Sequence, residues 1–125
     1  CCNADTCARA LHGPCTVDSC FTFPFQPEVR AALRAAAPGL RQMITLSIAR
    51  NVSVARSLYE ADLIEIEATE CQPSVISAAR AIGVEIMGYN ESNDPAIFLH
   101  YVEAGLDYIN HDHLDVAISV LEGNL

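Results

Sequence analysis

The sequence predicts an α/β fold built from repeated strand–helix units. From Cys20 onward, short apolar segments of strand length alternate with longer segments in which apolar residues recur at helical spacing. Pro27, Pro73 and Pro95 begin helical segments, at first-turn positions where a missing N–H is tolerated. Because the joints are only a few residues long, the pattern is typical of βαβ units and a parallel sheet.

The predicted elements follow one another regularly along the chain. The predicted strands are CFTFPF (20–25), QMITLSI (42–48), DLIEIEA (62–68), VEIMGYN (84–90) and LDYINHD (106–112). The predicted helices are PEVRAALRAAA (27–37), VSVARSLYEA (52–61), PSVISAARAI (73–82), PAIFLHYVEA (95–104) and HLDVAISVLE (113–122). Units spaced by roughly 20 residues suit either a (β/α) barrel or a doubly wound sheet.

The region before these units has a different character. Residues 1–19 form a polar, Cys-rich segment without periodicity, and residues 20–125 form the α/β part. The cysteines are Cys1, Cys2, Cys7, Cys15, Cys20 and Cys71. Such clustering indicates disulfides and a secreted or periplasmic protein, whereas the spacing does not fit a paired zinc motif. With no initiator Met and no signal segment, the chain is expected to be a processed product or a fragment.

Composition excludes several classes of function. The net charge is −9, and all seven basic residues are Arg. A nucleic-acid surface needs clustered Lys and Arg, so no nucleic acid is expected as a partner. The apolar segments are too short for a transmembrane helix, so none is expected.

The alternation of side chains along the strands places acids on an inner face. Ile64 and Ile66 suit the helix layer, which turns Glu65 and Glu67 inward. The same reasoning turns Met87 and Tyr89 inward, and buried acids need partners. Active sites of such barrels lie at the carboxyl ends of the strands. The candidate pocket residues are therefore Arg50, Glu65, Glu67, Met87, Tyr89 and Asn90, although the glutamates equally suit an exposed edge and Arg50 a solvated turn.

Two histidines and two aspartates lie close together at the last predicted joint. Asp112 is predicted to be the N-cap of the last helix, and Asp115 stands three residues later, where a capping box has its acidic partner. The alternative is a metal site that includes His111 and His113. We favour the structural cap and expect no metal here, because no third ligand stands at a recognisable zinc spacing.

Three motifs stand out in the chain: GLDYINHDHLD (105–115), AARAIGVEIMGYNESNDPAIFLHYVEAG (78–105) and FTFPFQPEVRAALRAAAPGL (21–40). On these motifs, roughly the last 90–100 residues of the chain resemble the C-terminal half of the glycerophosphodiester phosphodiesterase family. It implies the C-terminal part, about five strands, of a (β/α)8 TIM-type barrel. The complete enzyme would hydrolyse glycerophosphodiesters with a divalent cation such as Mg²⁺ or Ca²⁺.

The sequence also departs from the family pattern. Tyr108, His111 and Leu114 replace usual residues, and Met87 stands where many members have a Trp. The family's His-Arg pair is absent, so no catalytic residue is carried over and the catalytic first half is expected to be missing.

Three expectations follow for this segment. It should hold no cofactor by itself, and it should be inactive alone. It could also self-associate through open sheet edges. The alternatives are a non-catalytic barrel-type binding or scaffold protein and an unrelated βα-repeat enzyme half.

Overall fold

The computed structural model describes residues 21–123, which alternate strands and helices along the chain. The strands are β1 (Phe21–Thr22), β2 (Arg41–Thr45), β3 (Leu63–Ile66), β4 (Glu85–Asn90) and β5 (Tyr108–His111). The helices are α1 (Pro27–Ala36), α2 (Leu46–Ala49), α3 (Val52–Ser57), α4 (Pro73–Ala81), α5 (Pro95–Ala104) and α6 (Leu114–Leu121), with a 3₁₀ turn at Ala68–Glu70. The predicted Cys-rich segment lies outside the described residues.

The strands form one sheet whose order follows the chain. Its order is β1-β2-β3-β4-β5, and the pairs β1–β2 and β4–β5 are parallel. The predicted α/β class of repeated βα units is therefore confirmed. The described residues divide into two compact units between Leu63 and Ile64.

One predicted strand is partly helical. The segment QMITLSI was expected to be extended throughout, but β2 ends at Thr45 and α2 begins at Leu46. A strand would bury Leu46 and Ile48 on one face, whereas the helical turn buries Leu46 with Ala49 and leaves Ile48 40% exposed. Spacing of apolar residues over so few positions fits both periods, so it did not separate a strand from a short helix.

In the first unit, a buried arginine ties several backbone segments together. Arg30 is 5% exposed. Its guanidinium donates to the carbonyls of Pro24 at 2.9 Å, Met43 at 2.8 Å and Tyr59 at 2.7 Å. Burial lowers the pKa of Arg30. The carbonyls satisfy the planar donor group of Arg30, which a lysine with three donors on one atom could not reproduce.

The first unit also contains a side-chain clamp at the amino ends of β2 and β3. Asp62, just before β3, accepts from the backbone N–H of Gln42 at 3.1 Å, and its own N–H donates to the Gln42 carbonyl at 2.9 Å. Arg34 of α1 lies 3.7 Å from the Asp62 carboxylate and donates to the carbonyl of Glu60 at 2.6 Å. The clamp fixes the register of β2 and β3 at their starting ends.

The second unit repeats this clamp. Asp107, just before β5, accepts from the backbone N–H of Ile86 at 2.8 Å and donates its N–H to the Ile86 carbonyl at 3.0 Å. Arg80 of α4 donates to the Asp107 carboxylate at 2.6 Å and to the carbonyl of Gly105 at 2.8 Å. Gly105 has φ +74, as Glu60 has φ +52 in the first clamp, so each arginine bonds a left-handed residue two positions before the aspartate.

The core of the second unit is built on the helix-facing side of β3 and β4. Ile64, Ile66, Val84 and Ile86 are each at most 1% exposed, as the alternation in these strands predicts. Gly88 lies on the same face of β4 as Ile86, and the ring of Tyr101 packs directly over it. A Cβ on Gly88 would lie 2.6 Å from Cδ2 of that ring, so only glycine admits the ring there. Tyr101 is fully buried, and its hydroxyl donates to the Tyr89 carbonyl at 2.7 Å.

Candidate functional site

The second unit gathers polar side chains on the opposite face of its strands, toward their carboxyl ends. Tyr89 and Asn110 are register partners on β4 and β5. The Asn110 side chain also lowers the pKa of Glu65 of β3, so three adjacent strands contribute to one polar surface. We call Glu65, Tyr89 and Asn110, with the acids Glu91 and Asp112 beside them, the carboxyl-end cluster.

Electrostatics in this cluster are dominated by carboxylates. Burial raises the pKa of Glu65, opposed by its bond with Asn110 and assisted by the charge of Glu67. Tyr89 donates its hydroxyl to Glu91 at 3.1 Å. That bond raises the pKa of Tyr89, and the negative charges of Glu91, Asp112 and Glu65 act in the same direction. The surface around Tyr89 therefore carries a negative potential.

Two further predicted pocket residues lie near this cluster. Met87 is 7% exposed and stands in register with Tyr108. Glu67 is exposed and begins the 3₁₀ turn, where its N–H donates to the Glu70 carboxylate at 2.9 Å. The local role of Glu67 is thus the N-cap of this turn, in a capping box with Glu70.

The remaining two predicted pocket residues are Asn90 and Arg50, and each has a local structural role. Asn90 is 4% exposed and lies on the helix-facing side of β4, the same side as Gly88. Its Oδ1 accepts from the N–H of Ser92 at 3.0 Å and from the Ser92 hydroxyl at 2.8 Å, so it holds the loop after β4. Arg50 belongs to the first unit, where it is exposed and ends α2 with φ +78.

The joint at 111–115 differs by one residue from its prediction. The N-cap of α6 is His113, not Asp112, and the cap makes no side-chain hydrogen bond. The physical reason is the turn before it, in which Nδ1 of His111 accepts from the N–H of His113 at 3.0 Å and delays the start of the helix. Asp115 lies in the first helical turn, where its charge is favourable to the helix dipole.

The described residues contain neither a clustered set of metal ligands nor a membrane-spanning helix. Between residues 21 and 123, no group of three or more His, Cys, Asp or Glu side chains is placed to hold a metal ion. No helix in that range has both the length and the apolar character to cross a bilayer. Cys71, which lies there, is a buried free thiol whose pKa is raised by burial.

Sequence reasoning missed two members of the carboxyl-end cluster. Asn110 would have been found by applying the strand alternation to β5, since it shares a face with Tyr108 and pairs in register with Tyr89. Glu91 gave no periodic signal because it follows the end of β4. Its carboxylate accepts from the Tyr89 hydroxyl.

Comparison with solved structures identifies similar folds. The chain matches the crystal structure of a glycerophosphodiester phosphodiesterase from Agrobacterium tumefaciens with a TM-score of 0.89 and 33% identity, over 98% of this chain and 53% of that one. A second structure, from Silicibacter pomeroyi and named for the glycerophosphoryl diester phosphodiesterases, matches with a TM-score of 0.68 and 15% identity, over 87% of this chain and 40% of that one. At that identity the second match shows the fold alone.

The matches cover all or most of this chain but only part of each solved structure. The chain spans about half the length of the first structure it matches. No family model and no curated protein matches the sequence. The resemblance predicted from the sequence motifs, a partial barrel of the glycerophosphodiester phosphodiesterase type, is confirmed by the first match.

Proposed function

We propose that this chain, which has the fold of part of a glycerophosphodiester phosphodiesterase barrel, contributes one wall of an enzyme that hydrolyses glycerophosphodiesters. The observation that carries the proposal is the likeness at a TM-score of 0.89 over 98% of the chain. The carboxyl-end cluster supports it, because barrel enzymes assemble their sites at the carboxyl ends of the strands. The substrate wall would then include Glu65, Tyr89 and Asn110.

A divalent cation is part of this proposal for the complete enzyme only. The described residues bring no three metal-binding side chains together, so they do not form a metal site by themselves. The metal ligands of the complete enzyme would come from the half of the barrel that lies outside this chain's match to the solved structures.

The first test is an activity assay on the 125-residue chain and on any longer polypeptide that contains it. Each is incubated with glycerophosphocholine and Mg²⁺ or Ca²⁺, and the released glycerol 3-phosphate is measured. We expect metal-dependent hydrolysis by the longer polypeptide and none by the chain alone. A longer polypeptide that binds the diester without hydrolysing it would favour the second candidate, a non-catalytic barrel-type binding protein.

The terminal strands of the described sheet support self-association of the isolated chain. β1 and β5 are terminal in the strand order. Beside β1, Phe23 and Phe25 are 55% and 52% exposed and line a groove of about 560 Å³ with Val29 and Leu33. Exposed edges and apolar surface favour association, so the isolated chain should elute as more than a monomer in sizing chromatography.

An oxidising compartment is also proposed, and the clustered cysteines of the first twenty residues support it. Alkylation of the native protein, with and without prior reduction, tests the idea. Mass shifts that appear only after reduction are expected. Complete labelling without reductant would contradict it.

A further inference from the structure

Two side-chain nitrogens at the carboxyl ends of β4 and β5 are buried without a hydrogen-bond partner among the described residues. They are Nδ2 of Asn90, a residue that is 4% exposed, and Nε2 of His111. Buried polar groups in folded proteins nearly always have a partner, which is either a protein atom or an ordered water. Two such nitrogens on neighbouring strands therefore indicate a bound group between them.

The hydrogen bonds of the two side chains identify both nitrogens as donors. Oδ1 of Asn90 accepts from the backbone N–H and the hydroxyl of Ser92, so turning the amide over would leave that N–H unpaired. Nδ1 of His111 accepts from the N–H of His113 at 3.0 Å, which in the neutral ring places the hydrogen on Nε2. Neither nitrogen can accept from the other, and neither offers a lone pair to a cation.

Strand pairing brings the two donors together. Asn90 and His111 are register partners of the parallel strands β4 and β5, so their side chains stand next to each other on one face of the sheet. The ring of Phe98, on α5, lies 5.4 Å from the ring of His111, so this face is the one that the helices cover. One oxygen atom between the two side chains can accept from both.

We propose that Asn90 and His111 hold one buried water molecule, which accepts hydrogen bonds from Nδ2 and Nε2 and joins the carboxyl ends of β4 and β5 on the helix side. Ordered waters in protein interiors occupy such positions, where they satisfy polar groups that the chain leaves unpaired. Because Oδ1 of Asn90 also bonds Ser92, the water would connect the last strand to the loop that follows β4.

The charges of the second unit favour water over an anion as the acceptor. Acidic residues directly follow both donors in the sequence, Glu91 after Asn90 and Asp112 after His111. Arg80 is the only Lys or Arg residue from position 64 to 123, and it is bonded to a carboxylate at the amino ends of the strands. An anion would therefore meet like charges with no guanidinium to balance them, whereas a neutral oxygen meets neither penalty.

Nuclear magnetic resonance of the ¹⁵N-labelled chain, in buffer free of phosphate and sulfate, tests the site. Long-range ¹H–¹⁵N spectra above neutral pH should show the ring hydrogen of His111 on Nε2. Cross-relaxation with water should appear at the Asn90 amide protons and at Hε2 of His111. Its sign should be opposite in laboratory-frame and rotating-frame spectra, which distinguishes a long-held water from proton exchange.

A pair of matched variants connects the water to the two donors. His111→Phe keeps a ring of similar size beside Phe98 and removes both ring nitrogens, so the water signal at Asn90 should be lost. His113→Phe is the control, because it makes the same chemical change two residues later and keeps the backbone N–H that bonds His111. It should leave the water signal at Asn90 unchanged.

Several results would overturn the water site. A ring hydrogen on Nδ1 of His111, or wild-type spectra without water cross-relaxation at the two side chains, would do so. A water signal at Asn90 that survives His111→Phe would show that the two residues do not share it. Should a variant fail to fold, the wild-type spectra decide alone. Inorganic phosphate should leave the Asn90 and His111 signals in place, and saturable shifts would assign the site to an anion instead.

Discussion

Gly88 offers a sharp test of how the second unit is packed. A Cβ at this position would lie 2.6 and 2.7 Å from two ring carbons of Tyr101 and 2.8 Å from Cδ1 of Leu106. The ring is 0% exposed and anchored by its hydroxyl bond to the Tyr89 carbonyl, so it cannot move aside without losing that bond. Gly88→Ala should therefore destabilise the fold by overpacking.

The magnitude follows from two opposing effects. Forcing a methyl group into a filled core costs about 1–3 kcal/mol. Alanine in place of a strand glycine recovers about 0.5–1 kcal/mol of backbone entropy. The net loss should be about 1–2 kcal/mol, which for a domain of this size lowers Tm by ~4–8 °C.

Urea unfolding of the wild type and of Gly88→Ala measures this loss. Gly83→Ala is the control, because Gly83 has φ +71 and nothing within 4 Å of an added Cβ, so its cost comes from backbone strain alone. Combining Gly88→Ala with Tyr101→Leu should cost less than the two single changes together, because the smaller side chain relieves the clash. Unchanged or raised stability in Gly88→Ala would refute the packing of Tyr101 over this glycine.

Three further predictions follow from contacts described above. Glu65→Gln removes a carboxylate whose pKa is raised by burial, so it should stabilise the fold at pH 7. The gain in stability should vanish as pH falls through that raised pKa toward 4.5, because the wild-type carboxylate then becomes neutral. Thermal unfolding at several pH values checks this, and a gain that persists at pH 3 would contradict it. Tyr101→Phe leaves the Tyr89 carbonyl without its donor and should cost about 1–3 kcal/mol in urea unfolding. Burial raises the pKa of Tyr101 to about 12, so between pH 10 and about 12 this phenol ionises in the unfolded chain but not in the folded one, and the wild type loses stability. Tyr101→Phe should remove that part of the loss. Asp107→Asn keeps an acceptor for the Ile86 N–H but weakens the pair with Arg80, so it should cost less than Asp107→Ala in urea unfolding. Equal losses would show that the charge of Asp107 accounts for the whole loss and that the bond to the Ile86 N–H contributes nothing measurable.

The alternation of strands and helices could be predicted because each element carries its own signal. Pro95 begins α5 and Gly105 ends it in the left-handed conformation, as predicted for that segment. The inward direction of Glu65 and Tyr89 followed from the period of two in a strand, and both lie on the face opposite the buried isoleucines.

Other features depend on contacts that local patterns do not contain. The helix cap moved from Asp112 to His113 because the His111 ring accepts the His113 N–H, an interaction that competes with capping. Asn90 ends β4 as its position in the sequence predicts, whereas its bonds to Ser92 depend on the conformation of the loop that follows. The buried Arg30 depends on carbonyls up to 29 residues away along the chain, which no periodicity reveals.

The clamps of Arg34 with Asp62 and of Arg80 with Asp107 both lie at the amino ends of the strands. Register is secured where the strands begin, by bonds that involve neither Glu65 nor Tyr89. Residues at the opposite ends are thereby released from holding the strands in order. Substitutions at those ends should therefore change the polar surface at little risk to folding, so the side chains there can be redesigned while the strands keep their order.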